Sequence, residues 1–165
     1  MNDLSARRLQ IEEMMLNLGP AKGKDFATAT GPMLVTTDEL EQSRIDCKSG
    51  HIGKAYNLSM KAWVNGIQVS QGNLSDMDWT FAEIIERASY GVQLFPGDII
   101  GSGTVGTGCF LELNGTGKLK DPDYKEQWLS QGDVVEMEIE NLGKLSNTIA
   151  KDESEFSILG LKKDV

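Results

Sequence analysis

Basic residues are scarce in this chain of 165 residues: 16 lysines and arginines stand against 25 aspartates and glutamates, a formal net charge of −9. No basic run and no basic-plus-aromatic stripe occurs, which argues against nucleic acid as a partner, since affinity for it comes from cations that displace counterions. Histidine is rarer still: His51 stands alone, and Cys47 and Cys109 are the only cysteines. That count rules out structural zinc sites of four cysteines or of two cysteines and two histidines. Two distant thiols without a C-x-x-C fit a reducing cytosol better than a disulfide scaffold, so a cytoplasmic location is expected. Long apolar runs are missing as well. No segment approaches the ~18 residues of a membrane span, and the opening MNDLSARRLQ lacks the apolar core of a signal peptide.

What remains is an ordinary globular composition, 39% hydrophobic and 25% charged. The length suits one domain that buries roughly 70% of the surface its unfolded form exposes. Asn2 or Asp3 could cap a helix through Ser5–Leu18, with Leu4, Ile11, Met15 and Leu18 on one side. Met33–Thr36 reads as a short buried strand and Thr37–Leu40 as a turn. Alternating residues on both sides of Asn65-Gly66 predict a hairpin across Leu58–Val69. Thr80 and Glu83 form a capping box for a helix whose buried stripe is Phe81, Ile84, Ile85 and Ala88, and Gly91 stops it. Two echoing phrases, Leu94-Phe-Pro-Gly-Asp-Ile-Ile and Leu129-Ser-Gln-Gly-Asp-Val-Val, each read as a turn feeding a strand. Strands outnumber helices with no regular alternation of the two, so the expected class is α+β and β-rich.

The stretch Gly101-Ser-Gly-Thr-Val-Gly106 fits the dinucleotide fingerprint G-x-G-x-x-G letter for letter. That motif works when a strand turns sharply into a helix whose N-terminus meets the pyrophosphate. After Gly106, however, Thr107–Leu113 reads as a prolonged turn and then an alternating strand, with Phe110 and Glu112 on one side. No Gly-Lys-Ser/Thr closes a Walker loop either. A nucleotide site is not expected.

Six phrases in order carry a resemblance: Asn2-Asp3-Leu-Ser-Ala-Arg, Gly23-Lys-Asp-Phe-Ala-Thr28, Gly31-Pro-Met-Leu-Val-Thr, Val64-Asn-Gly, Leu94 to Thr104, and Gly132-Asp-Val-Val-Glu-Met-Glu-Ile-Glu-Asn-Leu-Gly. Together, through about Ile149, they resemble the fumarylacetoacetate hydrolase family. The resemblance implies a mixed β-sandwich roll as in that family's C-terminal domain, a divalent metal (Mg²⁺, Mn²⁺ or Ca²⁺), and hydrolysis of a C–C bond in a β-diketo, acylpyruvate-like acid. Decarboxylation or hydration of a 2-oxo acid is the runner-up chemistry. A homodimer and a small-molecule oxo acid are the implied partners.

Residue by residue, the resemblance makes Asp3 a metal ligand, which suits a hard cation, although by itself Asp3 also reads as a helix cap. Lys24 and Thr28 match positions in the same metal pocket. Gln10 and Thr104 match substrate-contacting positions. Met14 stands where a tyrosine is expected and Arg8 where an acidic residue is usual, so the substrate is not carried over. Glu112 matches the glutamate that orients the family's catalytic histidine. Glu136, Glu138 and Glu140 alternate with Val135, Met137 and Ile139 and read as a solvated strand face. His51 reads as a surface histidine. The chain opens at the Asn-Asp motif, whereas the family's Glu-x-Glu metal ligands and catalytic histidine lie before it. The resemblance therefore implies one domain over 1–165, truncated at its N-terminus: the C-terminal body of an enzyme or a non-catalytic binding or dimerisation module.

Overall fold

In a computed structural model of the chain, which describes residues 1–153 apart from 16 and 18, a short strand β1 (Asn2–Asp3) leads to helix α1 (Arg7–Met14). Strand β2 (Thr28–Ala29) returns antiparallel to β1, with Asp3 opposite Thr28. A second small pair follows, β3 (Arg44–Ile45) with β4 (Ala55–Tyr56). The main sheet takes β5 (Ser59–Val64), β6 (Ile67–Asn73), β7 (Val134–Ile139) and β8 (Gly143–Thr148) in the order β6-β5-β7-β8, every pair antiparallel. Helices α2 (Phe81–Ala88) and α3 (Phe110–Lys120) lie in the long connection between β6 and β7. The class is α+β and β-rich, as expected from sequence.

The β5–β6 hairpin forms where Asn65-Gly66 places it. Both residues have positive φ, 52° and 79°, the geometry of a two-residue turn that follows the twist of its strands. A bulge shifts the register between Ala62 and Trp63. Pleating separates the two faces of the sheet. Ala62 pairs with Met137 and Val64 with Val135, an apolar face; Lys61 pairs with Glu138 and Trp63 with Glu136 on the other. On that second face Lys144 pairs with Glu136 at 2.7 Å and sits 5.2 Å from the Trp63 ring centre. The alternating glutamates thus belong to a charged outer face, and Glu140, just past β7, accepts the Ser59 N–H at 3.1 Å.

Helix α2 is held as its sequence dictates. The Thr80 hydroxyl accepts the Glu83 N–H while the Glu83 carboxylate accepts the Thr80 N–H at 2.8 Å, and Gly91 beyond it has φ 73°. The core beneath is small. Leu58 is fully buried beside Leu40 and Tyr56, with Val35, Leu74, Ile139 and Leu142 packed around them.

Five expectations are corrected. Asn2 and Asp3 do not cap α1; they are paired in a strand, Ala6 occupies the cap position, and the helix is shorter than Ser5–Leu18; Leu18 lies outside the described residues. Met33–Thr36 and Asp98–Ile100 form no strand. Most consequentially, Phe110–Lys120 is a helix, so the strand alternation read for Phe110 and Glu112 does not exist. Asn114-Gly115 mimics a turn signal, but Asn114 is buried and brackets Gln127, donating to its carbonyl and accepting its N–H, both at 2.9 Å. Gly117 admits the Tyr124 ring, which an added Cβ would meet at 2.5 Å. Tertiary contacts override weak helix propensity here.

Candidate functional site

A single carboxylate builds the loop that presents Lys24. Glu13, in the last turn of α1, accepts the backbone N–H groups of Ala21, Lys22 and Gly23 at 2.9, 2.8 and 3.0 Å. The Gly23 N–H is the chief cause that holds the Glu13 pKa below the ordinary carboxylate value. Gly23 lies against Gln10, whose Cα would be 2.8 Å from an added Cβ. The Lys24 ammonium then reaches back to β1, 2.7 Å from the Asp3 carboxylate and 3.0 Å from the Ser5 hydroxyl. Asn2, buried next to Asp3, donates to Asn147 at 3.2 Å and ties β1 down onto the main sheet. Asp3, Lys24 and Thr28 are therefore neighbours, joined by one ion pair and one strand register.

Asp3 and Lys24 edge a cavity of about 600 Å³. Its floor is the apolar face of the sheet, including Val64, Val135 and Met137, and its walls come from α1, α3 and the glycine-rich turn. Asp3, Lys24 and Thr104 line it; Gln10, Thr28 and Glu112 do not. Gln10 instead accepts from the Arg7 guanidinium at 2.6 Å.

Glu112 sits in the first turn of α3 with both carboxylate oxygens on the Thr107 N–H, at 3.0 and 2.9 Å. Thr107 has φ 67° and its hydroxyl meets the Ser70 hydroxyl at 3.0 Å, pinning the turn to β6. Glu112 thus braces the segment that carries Thr104. A helix does follow Gly101–Gly106, contrary to the expectation from sequence, yet the dinucleotide reading still fails. No strand leads into the turn, α3 begins only at Phe110, and the N–H of Thr107 is occupied by a carboxylate.

His51 is not a plain surface histidine. Its Nδ1 lies 3.1 Å from a Glu83 oxygen, its Nε2 3.7 Å from Asp78, and its ring meets Trp79 edge-on with centres 5.1 Å apart. None of these residues lines the cavity. Sequence reading missed Glu13 as the loop's organiser and Asn114 as the bracket of α3. Neither has a local signal, because each acts through partners brought in by the tertiary fold.

A hard divalent cation takes about six oxygen ligands. Among the described residues, no group of three or more histidine, cysteine, aspartate or glutamate side chains is placed to hold one. Asp3 offers a single carboxylate, already facing an ammonium. The side chains present do not by themselves make a cage.

The model of the fumarylacetoacetate (FAA) hydrolase C-terminal domain matches residues 1–150. The chain belongs to the fumarylacetoacetate hydrolase family. It is 28% identical over 162 residues to a fumarylacetoacetase of Oryza sativa subsp. japonica, covering 82% of this chain and 37% of that protein. It is 31% identical over 148 residues to an oxaloacetate tautomerase of Bacillus subtilis (strain 168), covering 90% and 41%. A solved fumarylacetoacetate hydrolase from psychrophilic Exiguobacterium antarcticum superposes with a TM-score of 0.64 at 26% identity, over 92% of this chain and 45% of that one. The fold is therefore that of the family's C-terminal domain. The chain spans about two fifths of the length of these curated relatives. No helix among the described residues is long and apolar enough to cross a membrane.

Proposed function

We propose that this family member contributes the C-terminal body of a divalent-metal-dependent hydrolase that cleaves a C–C bond in a β-diketo, acylpyruvate-like acid in the cytoplasm, as a homodimer. The Lys24–Asp3 pair at the polar end of a largely apolar cavity carries this reading. The ammonium meets the charged end of an oxo acid, and the apolar floor takes its acyl substituent. A divalent cation, if bound beside Asp3, would supply charge complementary to an oxo acid's oxygens. Asp3, Lys24 and Thr28 would border the metal, with the Asp3 carboxylate one ligand among several and the Lys24 ammonium beside it rather than on it. Mg²⁺, Mn²⁺ or Ca²⁺ would supply Lewis acidity there. Thr104, which lines the cavity, is assigned to the substrate; Gln10 and Glu112, which do not line it, take from the resemblance alone a substrate contact and the orienting of a histidine that activates water. His51 is not that histidine, since Glu83 holds it among residues outside the cavity lining.

The similarity to an oxaloacetate tautomerase favours a second reading, proton transfer on a 2-oxo acid without bond cleavage. Both readings need the same pocket. Isothermal titration with Mg²⁺ and Mn²⁺, with oxalate as an oxo-acid mimic, tests it. Oxalate-dependent metal binding that Asp3→Asn removes is the expected result. Metal uptake indifferent to oxalate and to Asp3 would overturn the assignment.

A further inference from the structure

Cations occupy the unfavourable end of α1. Arg7 and Arg8 fill its first turn, and no acidic residue stands there. That end of a helix carries the positive pole of its dipole, so carboxylates stabilise it and cations do the reverse. Arg8 also stands where the family resemblance expects an acidic residue. Neither placement is offset locally. The Arg7 guanidinium donates to a neutral amide oxygen, Gln10 Oε1, at 2.6 Å. The Arg8 side chain has no hydrogen bond or ion pair among the described residues, and Glu12, one turn along the same helix, does not pair with it. A local rule broken without compensation points to function rather than to folding.

Both arginines line the 600 Å³ cavity. Asp3 is the one acidic residue of that lining, and Lys24 already faces it at 2.7 Å. The charges of Arg7 and Arg8 are therefore uncompensated, in a protein whose net charge is −9. A cleft with cations on an apolar wall concentrates anions that the rest of such a surface repels. The arginines and Lys24 share one wall. Ala6, just before Arg7, donates its N–H to the carbonyl of Gly23, just before Lys24, at 2.9 Å. Ile11, three residues beyond Arg8, lines the cavity too, so Arg8 belongs to the face of α1 that borders it.

We propose that Arg8 is a specificity-determining residue that favours oxo acids whose acyl chain ends in a second carboxylate; this rests on the reading of the cavity as an oxo-acid site. Lys24 meets the oxo-acid end, the apolar floor takes the carbon chain, and the Arg8 guanidinium donates paired N–H groups to the far carboxylate. Arg7, restrained by Gln10, adds charge without being free to follow the ligand. Both charged ends meet the same wall, which fits a short chain. An acid of the same length with an apolar tail leaves Arg8 without its counterion.

The test is calorimetric titration of the 165-residue chain, with Mg²⁺ present, against 2-oxoglutarate and 2-oxohexanoate, which differ by a terminal carboxylate in place of an ethyl group. The diacid should bind about five- to tenfold more tightly. That preference should shrink as salt rises, because Arg8 is exposed. Arg8→Lys should keep part of it, Arg8→Gln should erase it, and Arg8→Glu should reverse it. The ratio of the two affinities is the readout, since a general loss of fold weakens both acids alike. Equal affinities in the wild type, or a preference that survives Arg8→Gln, would overturn the proposal and leave the oxo-acid site standing. Binding of neither acid would overturn the oxo-acid site itself, and the role of Arg8 with it.

Discussion

The Lys24 ammonium lies 2.7 Å from the Asp3 carboxylate, across 21 residues of chain. Each side chain is partly solvated, so the pair contributes at most about 1 kcal/mol to stability. Lys24→Met should therefore shift the melting temperature by no more than about 3 °C. The same substitution should abolish the oxalate-dependent heat in the titration, which separates a binding role from a structural one.

Glu13 does the opposite kind of work, since it touches nothing in the cavity. Glu13→Gln keeps the shape and loses the charge that gathers three N–H groups. Amide exchange at Ala21, Lys22 and Gly23 should accelerate several-fold, and oxalate binding should weaken without being lost. Glu13 has a lowered pKa, so its contribution is present above the unfolded value and disappears as pH falls through the folded one. The protection of these three amides, corrected for intrinsic exchange, should thus fall in acid in the wild type, and fall less in Glu13→Gln.

Glu83 dominates the acid response of the other end of the fold. The Thr80 N–H first, then His51 and the Ile52 N–H, lower its pKa to about 2. The stability it supplies is complete above the ordinary carboxylate value of about 4.5 and fades as pH falls toward 2. Urea midpoints of wild type and Glu83→Gln should differ most at pH 7 and converge near pH 2. A gap that stays constant over that range would show that the carboxylate charge is not the source.

Asn114 is 2% exposed and makes two hydrogen bonds to Gln127. Asn114→Ala leaves a backbone N–H and a carbonyl unpaired and should cost about 2–3 kcal/mol, measured by chemical denaturation. Trp128 follows Gln127 in sequence and lines the cavity, so its fluorescence should report the loosening.

Local chemistry by itself determined the hairpin at Asn65-Gly66, the capping box of Thr80 and Glu83, the charged face of β7 and the stop at Gly91, because each rests on partners a few residues apart or on strict alternation. The order of six short phrases was enough to point to the family. What only the tertiary structure decided are the places where distant groups set the outcome. Asn114 and Gly117, poor helix residues, sit in a helix because Gln127 and Tyr124 need them there. Asp3, a plausible cap by sequence, is a strand residue because β2 returns beside it and Lys24 comes back across it. Glu112, read as one side of a strand, braces a turn. The cavity, too, was invisible in the composition: 39% hydrophobic residues are ordinary in number, and only the fold decides which of them line it.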